Sequence, residues 1–324
     1  MKKVVGVLGT SISRGHEASV SWVQMMQKDF KDIQFLNGAV PKSSADFATL
    51  CFTSLWSDSN VLPKFDLMIV EYTWTSSVEQ VKILIDFLKA QRIPMLMLLY
   101  NHLSCKLKGA CFRNGHQFEK LFEANNVSFV QNPPFSYDEV SKSRRHPNSK
   151  GHRKIYDSIH PWLLSHLIMS TKSVSPSTRQ NVIGTCHTRR DMRSIVHQMH
   201  GKWSWTSDGV TTSTQQSWAD FRVQSAYDGY LSIGYEKSFK FEGSFTIRCV
   251  RFCSCTQLTT SLNTMKRYTY VQRTHPLYVF HNAHDMCIFR VHATQGPLRI
   301  AAITYSKPLK NNKSVATNSL YSLK

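Results

Sequence analysis

The most restrictive feature of this 324-residue chain is a change of period near residue 170. Before it, short continuous apolar runs alternate with amphipathic stretches of helical spacing. Lys3–Leu8, Ile33–Leu36, Asp66–Tyr72, Pro94–Tyr100 and Val127–Val130 read as buried strands. Glu17–Phe30, Ala45–Trp56, Val78–Gln91, Gln117–Asn125 and Lys150–Ile168 read as helices. In Val78–Gln91 the apolar residues Val78, Val81, Leu84, Ile85 and Leu88 fall on one face. Strands apolar along their whole length and separated by helices require a parallel sheet covered on both sides. After residue 170 helical periodicity fades. The runs FRVQSA, GYLSIGY, GSFTIRCVRF, MCIFRVHA and PLRIAAITY, parted by turn residues, predict an antiparallel sandwich of jelly-roll type. The expected organisation is an α/β domain over 1–168, a polar linker over 169–200, a β-sandwich over 201–308 and a frayed basic tail over 309–324.

Charge follows the same division. The net charge is +19. Residues 1–170 carry 20 Lys/Arg against 14 Asp/Glu, and residues 171–324 carry 20 against 7. A second half this basic suits an anionic partner or a solvated surface. It carries no aromatic motif of an RNA- or DNA-binding module, so no nucleic-acid partner is expected. No apolar run reaches the roughly 20 residues of a membrane-spanning helix, and VVGVLG reads as a first strand rather than a secretory signal. Eight cysteines do not make a dense disulfide framework, and Cys253 and Cys255 are too close to bridge each other. Localisation and oligomeric state are left open.

In a parallel α/β sheet ligands gather at the carboxyl ends of the strands. The first strand runs into Gly9-Thr10-Ser11-Ile12-Ser13-Arg14-Gly15, the second into Asn37-Gly38-Ala39, and the third into Thr73-Trp74-Thr75-Ser76. A further polar segment, His146-Pro147-Asn148-Ser149-Lys150-Gly151-His152, precedes the last helix of this half. A serine on a glycine-flanked strand-to-helix turn, with a histidine returned beside it, is the minimum for acyl transfer. The imidazole takes the hydroxyl proton and helix-start amides hold the oxyanion.

These segments resemble, in order, the blocks of the SGNH (GDSL-type) hydrolases. The first block of that family, Gly-Asp-Ser-Leu/Ile-Ser-x-Gly, corresponds to Gly9–Gly15. Its lone glycine after the second strand corresponds to Gly38, and its His-Pro-Asn-x-x-Gly-His to His146–His152. The resemblance covers residues 1–168 and implies a flavodoxin-like three-layer fold. It implies Ser11 as nucleophile and His146 as general base, with the amides of Ser11 and Gly38 and the hydroxyl of Thr75 as oxyanion donors. Two family residues are replaced: the asparagine of the third block by Thr75 and the aspartate three positions before the histidine by Ser143. Asp138 or Glu139 is expected to take over as the acid orienting His146. The second half resembles the β-sandwich that follows the esterase-like domain in capsule-associated-protein-like members, on Tyr230–Ser238 and Pro297–Tyr305. Together these imply a serine esterase removing O-acyl, chiefly O-acetyl, groups from a carbohydrate without a cofactor. The alternative is a catalytically silent glycan binder on the same scaffold.

Other clusters weigh less. His281, His284, Asp285 and Cys287 have metal-ligand chemistry, but strand alternation splits them between two faces. No metal site is expected there, nor at His187, His197 and His200. Trp203, Trp205 and Trp218 suit a sugar-stacking platform or, more simply, packing. Arg144-Arg145 and Arg189-Arg190 suit an acidic ligand or a solvated surface. His152 is expected to pack inside.

Overall fold

In the computed structural model the described residues are 2–41, 43–56, 63–100, 115–142, 146–168, 184–188, 192–206, 209–224, 228–237, 243–261, 270–273, 277–282 and 285–306. They fall into two compact units, meeting near Asn181 in sequence, with a short return of the chain to the first unit at Thr269–Gln272. Ser143, both arginine pairs, His284 and the tail over 309–324 lie outside the described residues.

The first unit holds β1 (Lys3–Gly9), α1 (Ser11–Arg14), α2 (Trp22–Asp29), β2 (Ile33–Asn37), α3 (Ala45–Leu50), β3 (Leu67–Glu71), α4 (Val78–Ala90), β4 (Met95–Leu99), α5 (Gly115–Ala124), β5 (Ser128–Gln131) and α6 (Ser149–Leu163). The strands form one parallel sheet in the order β2-β1-β3-β4-β5. Alternation along the strands sorts their side chains between two cores. Val5, Val7, Leu67, Ile69, Leu96 and Leu98 pack on one face with Trp22 and Met26 of α2 and Ile155, Ile159 and Leu163 of α6. Leu8, Met68, Val70, Met97 and Leu99 pack on the other with α3, α4 and α5. The chain moves to opposite sides of β1 on leaving β1 and β2, so the strand order reverses between β1 and β3. A doubly wound sheet opens its ligand crevice at that switch point, outside the carboxyl ends.

The expected helix over Glu17–Phe30 is shorter than its apolar pattern suggests. It starts at Trp22, because Ser21 and Gln24 form a reciprocal capping box. Residues 17–20 are thereby released as loop, and Glu17 takes a left-handed backbone, φ 64°.

Beyond residue 181 the chain holds β6 (Gly184–Thr188), α7 (Met192–Ile195), β7 (Val196–His200), β8 (Trp203–Thr206), β9 (Gly209–Thr212), β10 (Trp218–Gln224), β11 (Gly229–Lys237), β12 (Ser244–Arg251), β13 (Cys253–Cys255), β14 (Leu258–Ser261), β15 (Tyr270–Arg273), β16 (Leu277–His281), β17 (Met286–Gln295) and β18 (Leu298–Ser306), all but β15 belonging to the second unit. One antiparallel sheet runs β14-β12-β17-β10-β7. A second runs β13-β16-β11-β18-β9-β8, with β6 also on β18. A single apolar core draws on both, including Phe221, Phe245, Phe289, Ile233, Ile300 and Tyr305. The expected linker over 169–200 needs correction. Within it β6, α7 and β7 are elements of this unit, and Cys186, Met192 and Ile195 are buried. The polar composition hid them because each is only four or five residues long.

Cys249 bridges to Cys255 and Cys253 to Cys287. Each bridge joins β13 to a strand of the opposite sheet. The engagement of Cys287 in a disulfide removes it as a thiolate ligand. Trp203 and Trp205 pack against the core. The ring of Trp218 is covered by the Arg290 guanidinium at 3.6 Å and lies beside His200. Arg290 is held in turn by a two-pronged pair with buried Asp220, at 2.7 and 2.9 Å.

Candidate active site

The turn that carries Ser11 is built by its neighbours. Thr10 is the N-cap of α1, with its hydroxyl accepting from the Ile12 amide at 3.3 Å. Ser11 is therefore the first helical residue, and its amide has no partner within the helix. The helix lasts one turn and stops at Gly15, whose φ of 81° is the left-handed geometry glycine adopts most readily. Asn37, at the end of β2, donates to the Ser13 carbonyl at 2.9 Å and so ties this turn to the next strand.

The histidine segment explains its own spacing. Pro147 bridges to Val140, and the Ser141 amide donates to the His146 carbonyl at 2.8 Å. Asn148 caps α6 by accepting from the amides of Lys150 and Gly151, at 2.9 and 3.2 Å. Its own side-chain amide donates to the carbonyls of Asp138 and Val140, at 2.7 and 3.1 Å. Gly151 is the close approach: a Cβ there would stand 2.3 Å from the Glu139 carbonyl oxygen. His152, buried on α6, accepts from the Trp22 amide through Nδ1 at 3.3 Å. Burial, with the neighbouring His146, lowers its pKa to about 4.

This scaffold brings Ser11 Oγ to 2.9 Å from His146 Nε2, across 135 positions of sequence. On the other side of the ring, His146 Nδ1 stands 3.4 Å from Glu17 Oε2, an ion-pair separation that is long for a hydrogen bond. The ring edge of His16 packs on His146 with centroids 4.9 Å apart. An open cleft of about 570 Å³ lined by Glu17, Val140, Ser141, Lys142 and Asn148 adjoins the pair.

The expected acid stands elsewhere. The carboxylate of Asp138 pairs with Lys150 at 3.1 Å and accepts from Ser136, and that of Glu139 pairs with Lys154 at 2.6 Å. Asp138 is exposed and Glu139 half-buried, each tied to a lysine of α6, while Glu17 stands next to His146. Sequence inspection missed Glu17 because the apolar pattern folded it into a helix. The signal was the Ser21/Gln24 capping pair, which starts that helix at Trp22 instead.

Of the three expected oxyanion donors, one is engaged elsewhere. The Gly38 amide donates to the Val7 carbonyl at 3.0 Å, continuing the β1–β2 ladder. Its lack of a side chain serves packing, since a Cβ would meet the Trp56 ring at 2.8 Å. Thr75, past the end of β3, has a buried hydroxyl with no hydrogen-bond partner among the described residues. The Ser11 amide, without a partner in its own helix, and the buried Thr75 hydroxyl both stand past the carboxyl ends of the adjacent strands β1 and β3.

The donor atoms of His16, Glu17 and His146 lie within 4.8 Å of one another. Of these, His146 also contacts Ser11 and Glu17 stands at the other ring nitrogen.

No protein-family model matches the chain, and no curated protein matches it by sequence. Solved structures do match by shape. A two-domain esterase active on acetylated mannans superposes with a TM-score of 0.56 at 13% identity, covering 94% of this chain and 92% of that one. The same esterase co-crystallised with mannopentaose gives 0.56 at 14% identity, covering 95% and 91%. The chain thus shares the fold of that two-domain esterase, with an α/β unit followed by a β-rich unit.

Proposed function

We propose that this protein is a serine esterase that removes O-acetyl groups from a carbohydrate. The observation carrying the reading is the 2.9 Å contact between Ser11 Oγ and His146 Nε2 at the switch point of the sheet. In the proposed cycle Ser11 Oγ attacks the acetyl carbonyl while His146 Nε2 takes its proton. The Ser11 amide and the Thr75 hydroxyl hold the oxyanion. Collapse breaks the bond to the sugar oxygen, which leaves with the proton from His146. Water, deprotonated by the same imidazole, then attacks the acetyl-enzyme and releases acetate and free Ser11. Glu17 steadies the imidazolium formed in each half-reaction through Nδ1. The substrate class rests on the neighbouring fold, whose esterase acts on acetylated mannans. The β-rich unit is then a jelly-roll-like accessory module that engages the polysaccharide.

Acetate release from acetylated mannan tests this. We expect turnover by the wild type and a loss of at least about 10³-fold in S11A and H146A. Rates equal to the uncatalysed background in all three proteins overturn it. A second reading, a silent glycan binder, is favoured by one observation: the Gly38 amide is engaged in the sheet. Loss of one oxyanion donor costs about 10²–10³ in rate. Retention of mannan by wild type and S11A alike, with no acetate released by either, selects that reading.

A further inference from the structure

Beneath the nucleophile turn lies an acid that the proposed cycle does not use. Glu71, the last residue of β3, is fully buried and sits opposite Gly9 in the β1–β3 register. Three donors from the turn converge on one of its oxygens. Oε2 accepts from the Thr10 amide at 3.0 Å, the Thr10 hydroxyl at 3.0 Å and the Ser13 hydroxyl at 3.2 Å. Its other oxygen, Oε1, is buried with no hydrogen-bond partner among the described residues. The fit is close on the strand side too, because a Cβ on Gly9 would stand 2.9 Å from Oε2 and 2.5 Å from Ser13 Oγ. Ser11 lies between the two residues whose hydroxyls are held.

We propose that Glu71 is the positioning residue of the nucleophile turn, fixing Ser11 Oγ at its contact distance from His146 by clamping Thr10 and Ser13 from below. This rests on the serine–histidine reading above. The physical logic is that a one-turn helix has almost no stability of its own. Its first-turn donors need an outside acceptor to hold one geometry. A carboxyl group keeps Oε2 free of hydrogen in either protonation state, with any proton on Oε1, so it suits three converging donors better than a hydroxyl, and unlike an amide it brings no NH₂ into the buried site. A displacement of about 1 Å at the nucleophile costs about 10²-fold in rate.

The test replaces Glu71→Gln and, separately, Ser13→Ala and Thr10→Val. The two single-donor variants keep the test alive should E71Q fail to fold. Two readouts are used. One is labelling of Ser11 by a fluorophosphonate, scored both for stoichiometry and for rate. The other is amide hydrogen exchange of the segment 10–15. We expect E71Q to label to the same stoichiometry about 10–100-fold more slowly, with exchange over 10–15 at least tenfold faster and the sheet unchanged. S13A and T10V should slow labelling about 3–10-fold. A role confined to global stability lowers the labelled fraction and leaves the rate of the folded fraction alone, and that result overturns the proposal. Wild-type labelling rates in the folded single-donor variants also overturn it, as does unaltered exchange over 10–15 in E71Q. Wild-type protein inert to both fluorophosphonate and acetylated mannan, with faster exchange in E71Q, sinks the esterase reading while keeping the clamp.

Discussion

Glu17 and His152 show how a single side chain's setting decides its use. Glu17 is in a left-handed conformation that a non-glycine residue adopts only at some energetic cost, and it faces the imidazole. Glu17→Gln keeps the shape and removes the charge. We expect kcat on an acetyl ester to fall about 10–10⁴-fold with KM little changed, read by steady-state kinetics. Two buried groups set opposite pH slopes on stability. Burial raises Glu71 to about 7 in the folded state, against an ordinary 4.5. The unfolded chain therefore ionises first, and stability falls as pH rises from about 4.5 to 7. Burial lowers His152 from 6.5 to about 4, so the unfolded chain is protonated first and stability falls as pH drops from 6.5 to 4. Each effect is on the order of 3 kcal/mol, and they oppose each other between pH 4.5 and 6.5. Melting temperatures across pH 4–8 should be nearly flat in that window for wild type. They should fall with rising pH in H152Q, and fall with acid in E71Q. The phenols of Tyr72 and Tyr100, the titratable groups that feel Glu71, are both raised by burial and stay neutral throughout.

At the scale of elements, the segment before α6 is the clearest case of a motif whose residues were readable and whose reasons were not. Pro147, Asn148, Gly151 and His152 each hold the loop that presents His146, through a bridge, a cap, a close approach and a buried acceptor. Gly151→Ala separates two effects of opposite sign. Helix propensity alone favours alanine by about 1 kcal/mol. The Cβ, however, would stand 2.3 Å from the Glu139 carbonyl oxygen. We expect net destabilisation of about 1–3 kcal/mol by denaturant unfolding, with a parallel loss of acetate release as His146 shifts. A stabilised, fully active variant would mean that the loop yields freely. The five parallel strands and most helices were legible because apolar periodicity reports burial directly. Glu17 was not, because capping overrode periodicity. Gly38 was misread for a related reason: sequence shows a missing side chain but not where the backbone amide points. The acid at His146 could not be placed from Asp138 and Glu139, since which lysines compete for a carboxylate is a tertiary fact.

Across the whole molecule the change of period near residue 170 comes before the division of the chain after Asn181, and the stretch expected to link two domains contributes three elements to the second unit. Within that unit the bridges Cys249–Cys255 and Cys253–Cys287 pin a three-residue edge strand to the sheet across the core. Cys253–Cys287 closes a loop with a sequence separation of 34, for which about 2–4 kcal/mol of stabilisation is usual. The double variant C253A/C287A should destabilise the β-rich unit by that amount, read as a lower transition temperature in calorimetry. Hydrolysis of a small acetyl ester at 25 °C, which needs only the first unit's residues, should persist.

Ser11 and Glu17 reach the two nitrogens of one imidazole from a single seven-residue stretch. A pattern search keyed to an acid just upstream of the histidine passes over any chain built this way. The two grips on the ring also share one spacing: an insertion anywhere between those two positions would carry Glu17 away from the nitrogen opposite Ser11.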